Sequence, residues 1–153
     1  MAIDKPNSYA QGQFIPVYFY KQIQKGTFEY TLNYLIYHEL DLGIFDQRFR
    51  NDETGAPAYD PRILLKIILL ASSRGITSSC SIARCCEENV LFMALSANSR
   101  PHFATISDFI SSMDKVVVNL FLQIFLVCNQ QNLISKEMFA IDGCKLPSNA
   151  SEE

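Results

Sequence analysis

The sequence predicts a mainly α-helical protein: a helical bundle with a helix-turn-helix-like segment, followed by a short β-strand near the C-terminus. Through most of the chain, apolar side chains recur every three to four residues, which is the period of a helix that buries one face. Asp60-Pro61 and Gly75 place a helix start and a helix stop around one strongly apolar stretch. The 153 residues, of which 48% are apolar, are enough for one domain with its own core.

The first third of the chain is predicted to contain one long helix. We expect residues 1–26 to be irregular, because Pro16 excludes a central strand there. Thr27 can cap a helix over residues 28–39, in which Leu32 and Ile36 keep helical spacing. A connection rich in Asp, Gly and Pro follows, with a short helical turn around Ile44–Arg48.

The middle third contains the helix-turn-helix candidate. Residues 62–74 are apolar nearly all round, so this helix belongs in the middle of a bundle. A tight turn at Gly75 leads to a second helix over residues 79–87. Many all-helical proteins join two helices in this way, so the pattern does not by itself indicate DNA binding.

The last third is predicted to hold a long helix and a strand. "NVLFMAL" indicates a short helix before the loop Arg100-Pro101-His102. Thr105 is expected to open a capping box with Asp108 and to begin a helix that runs to about residue 130. Met138–Ile141 is predicted to be a strand.

The charge is uneven along the chain. The net charge is −3, but residues 61–104 hold five Lys/Arg against two Asp/Glu. Contacts with phosphates are therefore expected in this middle third; the alternative is an ordinary solvated surface. No secretory signal is present, and the longest apolar run is too short to cross a bilayer. We therefore expect a soluble, cytoplasmic protein with no membrane partner.

Most enzyme templates are missing from the sequence. It has no GxGxxG, GxxxxGK[ST] or GxSxG motif. The five cysteines form no CxxC pair, which favours thiols in a reducing compartment over a zinc site. His38 and His102 lack an evident orienting group, so structural roles are the better interpretation for both.

Asp142 is the candidate for a catalytic, metal-binding residue. In "EMFAIDGCKLPSNASEE" it follows the predicted strand and precedes Gly143. Such an acid is either a turn residue or one member of a carboxylate set that binds a pair of divalent metal ions. Metal-dependent phosphoryl transfer on DNA needs about three such acids, so Asp142 alone cannot perform it.

Nearly the whole chain from Phe14 onward resembles bacterial insertion-sequence transposases of the DDE type. The segment from "GTFEYTLNYL" through "RPHFATISDFISSM" is similar to their helical N-terminal domain, and "MFAIDGCKLPSNAS" resembles the start of their RNase H-like catalytic domain. The resemblance implies a helical domain over residues 27–134 and a truncated catalytic domain over residues 135–153. It also implies that Asp142 is the first of three acids that bind Mg²⁺. The other two acids do not occur, so we expect no activity and no tight Mg²⁺ binding from this chain alone.

The resemblance places DNA contact in the segment from Asp60 to about Met113. Hydroxyl and basic side chains there are the expected phosphate ligands: Arg74, Ser78, Ser79, Arg84, Arg100, His102 and Thr105. Two departures from the family pattern remove positive charge, because Cys80 and Ile110 stand where relatives often carry basic residues.

Three functions remain open at this point. The first is the DNA-binding and assembly part of a transposase, with the element's terminal repeats as partner. The second is a stand-alone regulator that binds those repeats. The third is an interaction module without DNA affinity, with a second copy or the missing catalytic part as partner. The +3 middle third favours the second function, and the low charge fraction of 19% favours the third.

Overall fold

The computed structural model describes residue 10 and residues 12–46 and 59–133, and these residues are mainly α-helical, as the sequence predicts. The helices in chain order are α1 (Phe19–Gln22), α2 (Phe28–Tyr34), α3 (Gly43–Asp46), α4 (Pro61–Ser73), α5 (Ser79–Glu88), α6 (Val90–Leu95), α7 (Phe103–Ser112) and α8 (Val117–Gln130). No strand occurs in this part of the chain, and the predicted strand Met138–Ile141 lies outside the described residues.

Local sequence signals set the ends of the early helices. The Thr27 hydroxyl accepts the Tyr30 N–H at 3.2 Å and caps α2, which continues through a π-helical turn over Leu35–Glu39. Helix is therefore continuous from residue 28 to residue 39, and this prediction is confirmed. Asp60 caps α4 by accepting the Arg62 N–H at 2.8 Å.

The turn between α4 and α5 is built on Gly75. Its φ of +73° is a conformation that glycine adopts without steric cost. The Ile76 N–H reaches back to the Ala71 carbonyl at 2.9 Å, which closes the end of α4. The predicted helices over residues 62–74 and 79–87 are both confirmed, each to within one residue.

The predicted long helix from Thr105 is wrong in two respects. His102, not Thr105, caps the helix, because its Nδ1 accepts the Ala104 N–H at 3.3 Å. The helix also ends at Ser112, and after a 3₁₀ turn α8 leaves at 78° to α7. A straight helix of some 26 residues would extend about 39 Å and leave the bundle. The bend lets both halves bury apolar side chains on the same core.

The hydrophobic core is centred on α4. Leu64, Leu65, Ile67 and Leu70 are all almost fully buried there, as expected for a helix that is apolar nearly all round. Helices α2, α5, α6 and α7 pack around α4. The aromatic centre combines Phe92 with a stacked pair, Phe45 and Phe109, whose ring centroids are 5.3 Å apart.

Two unpredicted features connect the ends of the described chain to this bundle. Residues 19–22, within the segment expected to be irregular, form α1, which packs against α6. Gln123 of α8 holds the backbone of Asp41 twice: its Oε1 accepts the Asp41 N–H at 2.7 Å, and its Nε2 donates to the Asp41 carbonyl at 3.1 Å. Both contacts join segments that are distant in sequence.

Candidate nucleic-acid interface

A hollow of about 320 Å³ lies between the outer face of α5 and the start of α7. It brings together three of the seven residues that the sequence nominated for phosphate contact, Arg84, Arg100 and His102. The complete lining is Cys80, Ala83, Arg84, Glu87, Glu88, Arg100, Pro101, His102 and Phe103. Arg84 and Arg100 are exposed, so their guanidinium groups can reach a ligand from solvent.

The α7 side of the hollow is fixed by several local contacts. Pro101 is buried, and the Tyr59 hydroxyl donates to the Arg100 carbonyl at 3.2 Å. His102 caps α7, and the centroid of its ring lies 4.1 Å from that of Phe103. The predicted loop Arg100-Pro101-His102 is therefore an ordered entry to α7. It presents the positive end of a ten-residue helix to the hollow.

Two glutamates reduce the positive potential of this hollow. Glu87 and Glu88 are exposed and follow Arg84 by three and four residues, so they lie on the same face of α5. Together they balance the formal charge of Arg84 and Arg100. The sequence analysis did not include these acids in the site, although their spacing from Arg84 could have indicated them.

Ser78, Ser79 and Thr105 do not line the hollow. Ser78 occupies the N-cap position of α5, but its side chain makes no capping hydrogen bond. Ser79 begins the same helix and is partly buried. Thr105 lies within α7 and is also partly buried, because the helix begins before it. The two serines therefore form a separate group at the start of α5.

Arg74 is engaged elsewhere. Its guanidinium forms an ion pair with Glu29 at 2.9 Å and lies over the Phe92 ring, 5.8 Å from its centroid. Glu29 is 45 residues away in sequence, so no local pattern could have indicated this pair. A phosphate that binds Arg74 would have to compete with the Glu29 carboxylate.

Lys66 contributes no charge to the surface. The residue is 4% exposed, and its ammonium donates to Asn33 Oδ1 at 3.2 Å and Tyr37 Oη at 3.4 Å. Burial lowers the pKa of Lys66, and Asp60 opposes this shift. The positive middle third therefore exposes less positive charge than the residue count suggests.

Asp142, the candidate for Mg²⁺, lies outside the described residues. Within the described ranges, no group of three His, Cys, Asp or Glu side chains could hold a metal ion. The described thiols range from the exposed Cys80 to the buried Cys86, whose pKa is raised to about 11, chiefly by burial.

Within the described part of the chain, no single helix has both the length and the apolar content to cross a bilayer. Helices α7 and α8 meet both criteria only when they are taken together, and they are bent by 78°.

A family model described as Transposase domain (DUF772) matches residues 17–112. The chain belongs to this transposase domain family. The match begins just before α1 and ends with α7, so it contains the whole hollow, while α8 lies beyond it. Searches among curated proteins and among solved structures gave no match. The chain is thus transposase-related, and the family match supports the resemblance found in its helical part.

Proposed function

We propose that this transposase domain contacts DNA during transposition through the hollow between α5 and α7. The observation that carries the proposal is the convergence of Arg84, Arg100 and the N-terminus of α7 on one exposed surface within the family-matched range. Arginine side chains and helix N-termini are common phosphate ligands. The two arginines neutralise about two backbone phosphates, and Glu87 and Glu88 keep non-specific affinity low.

The test is the salt dependence of binding to a duplex that carries the element's terminal repeats. For about two phosphates neutralised, the logarithm of the binding constant falls against the logarithm of salt concentration with a slope near −1.8. Arg84→Gln and Arg100→Gln are each expected to reduce the size of that slope by about 1. Fluorescence anisotropy across a salt series measures both quantities.

Two matched variants identify the surface. Lys25→Gln also removes one exposed positive charge, but outside the hollow, and should leave the slope unchanged. Glu88→Gln removes a negative charge from the hollow and should strengthen binding. If Lys25→Gln and Arg84→Gln reduced the salt slope equally, the DNA contact would not be specific to the hollow. Equal affinity for a scrambled duplex would contradict recognition of the repeats, both for a part of a transposase and for a stand-alone regulator.

We further propose that these 153 residues do not cleave DNA with Mg²⁺. Only Asp142 matches one of the three acids that the resemblance implies, whereas a two-metal reaction needs about three. Incubating the pure protein with Mg²⁺ and terminal-repeat DNA tests this directly. Metal-dependent cleavage by the pure protein would contradict this proposal.

A second candidate function is protein–protein assembly, and a separate surface favours it. Helix α8 exposes large apolar side chains to solvent, among them Val118, Phe121 and Leu122. Exposed contiguous apolar surface is typical of interaction sites. Both functions can occur in one protein, because the hollow and α8 share no lining residue.

A further inference from the structure

Helix α1 and its N-cap residue present two tyrosines and a lysine to solvent. Tyr18 is 51% exposed and Tyr20 is 73% exposed, and their ring centroids lie 5.9 Å apart with the ring planes tilted by 60°. The Lys21 ammonium lies over both rings, 4.7 Å from the centroid of Tyr18 and 5.9 Å from that of Tyr20. These three residues, which we call the α1 platform, place two aromatic surfaces beside one positive charge.

The helical bundle supports the α1 platform from below. Helix α1 packs against α6, and Ile23, which directly follows α1, packs against the hydrophobic core. The Lys21 N–H donates to the Tyr18 carbonyl at 3.1 Å, which closes the turn that brings the two tyrosines together. The platform lies within the family-matched residues 17–112. Its rings are therefore exposed on a helix whose other side is packed on the bundle.

Only positive charge occurs in the segment around the α1 platform. Residues 12–28 contain two lysines and no Asp or Glu, and α6 contains no charged residue. Among the described residues, no carboxylate forms an ion pair with Lys21. In the hollow at α5, by contrast, Glu87 and Glu88 offset the two arginines. An anion that approaches Lys21 meets no acid of α1 or α6.

A nucleotide with an unpaired base combines the two groups that this platform can bind. Its base has a flat π-face that stacks on an exposed aromatic ring, and its phosphate attracts an ammonium group. In a duplex the base faces are covered by neighbouring base pairs, so a duplex offers phosphates but no free base faces. An acidic peptide would use only Lys21, and an apolar peptide would use only the rings. The platform therefore fits single-stranded DNA better than it fits these alternatives.

We infer that the α1 platform binds single-stranded DNA, with one base stacked on Tyr20 and a flanking phosphate near the Lys21 ammonium. Tyr20 is the more exposed ring, and the cation–π contact with Tyr18 helps to hold Lys21 in position. This inference goes beyond the contact proposed at α5, which concerns the phosphates of a duplex. Because stacking uses the face of a base and not its hydrogen-bonding edge, binding should depend little on sequence.

Fluorescence anisotropy with a labelled oligothymidylate of about 12 nucleotides tests this inference. Tyr20→Leu keeps an apolar side chain but removes the ring, and it should weaken binding about tenfold. Tyr20→Phe keeps the ring and should bind within about twofold of the wild type. Lys21→Gln should reduce the size of the salt slope by about 0.7, the value for one phosphate of a single strand.

An oligonucleotide of the same length that lacks bases separates stacking from phosphate attraction. The wild type should bind it about tenfold more weakly than the oligothymidylate, because no base can then stack on Tyr20. For the same reason, Tyr20→Leu and the wild type should bind it equally. Equal affinity of the wild type for the two oligonucleotides would overturn the inference, since phosphate attraction alone would then account for binding.

Tyr34→Leu is the matched control, because Tyr34 is a half-exposed tyrosine on α2, outside the α1 platform. It should bind the oligothymidylate like the wild type. The inference is wrong if the wild type does not bind at low salt, if Tyr20→Leu binds as well as the wild type, or if Tyr34→Leu loses as much affinity. Tyr20→Leu should not change binding to the terminal-repeat duplex, so this inference and the contact proposed at α5 can fail separately.

Discussion

At the scale of single residues, Lys66 is the most unusual feature of the described chain. Its ammonium lies in the interior between α2 and α4, and its hydrogen-bond partners are the neutral groups of Asn33 and Tyr37. Its Nζ also lies over the Tyr37 ring, 4.8 Å from the centroid. A buried charge with no carboxylate in direct contact has a desolvation cost that these contacts only partly offset.

We expect Lys66→Met to stabilise the protein by about 1 kcal/mol at neutral pH, because it removes that desolvation cost. Burial lowers the folded-state pKa below the ordinary 10.5, so the unfolded chain binds more protons between the two values. The wild type therefore gains stability as pH rises through this interval, and the advantage of the variant narrows. Urea unfolding of both proteins at neutral pH and near pH 10 measures the difference between their free energies of unfolding. If this difference increased with pH, the lowered pKa of Lys66 would be contradicted.

At the scale of helices, the N-caps of α4 and α5 show that a good capping residue in the sequence does not always make a capping hydrogen bond. Asp60 and Ser78 stand at equivalent N-cap positions of α4 and α5, but only the Asp60 side chain makes a capping hydrogen bond. Sequence rules rank both residues as good caps. The orientation of the Ser78 side chain, which the sequence does not specify, decides the difference.

Asp60→Ala is expected to lower the free energy of unfolding by about 1 kcal/mol, since it removes the bond to the Arg62 N–H. Ser78→Ala serves as the matched control and should change it by less than about 0.5 kcal/mol, because no bond is lost. Thermal or urea unfolding of the two variants gives the comparison. Equal losses would mean that the Ser78 hydroxyl caps α5 in solution.

At the scale of the whole molecule, stability depends on one core that all the larger helices share. Phe92 of α6 is fully buried within it, and we expect Phe92→Ala to cost about 3–5 kcal/mol. Phe14→Ala makes the same chemical change at a side chain that is 92% exposed and should have an effect within about 0.5 kcal/mol. Urea unfolding checks both values. A large loss at Phe14 would show that the N-terminal segment packs in solution.

Burial and long-range pairing also redistribute the charge of the whole molecule. Of the five basic residues in the middle third, Lys66 is buried and Arg74 is paired with Glu29. Arg84 and Arg100 share their hollow with Glu87 and Glu88. The net charge of +3 in residues 61–104 is therefore not all displayed on the surface. For this reason we expect weak, salt-sensitive contact with DNA rather than tight non-specific binding.

The sequence by itself determined the local structure of this protein. Thr27, Asp60 and Gly75 act on backbone groups within a few residues of themselves, so the helices that they bound could be read from the chain. The apolar pattern of α4 likewise placed that helix in the core, because burial follows from its composition.

Only the tertiary structure decided which of the nominated residues meet. Helices α7 and α8 are separated by a 3₁₀ turn because both pack on the same core. The apolar spacing across residues 105–130 is continuous, so it does not predict this break. Arg84 and Arg100 share a hollow because α5 lies beside the start of α7, whereas Arg74 is held by an acid 45 residues away. Contacts between distant segments depend on how helices pack, and no local pattern carries that information.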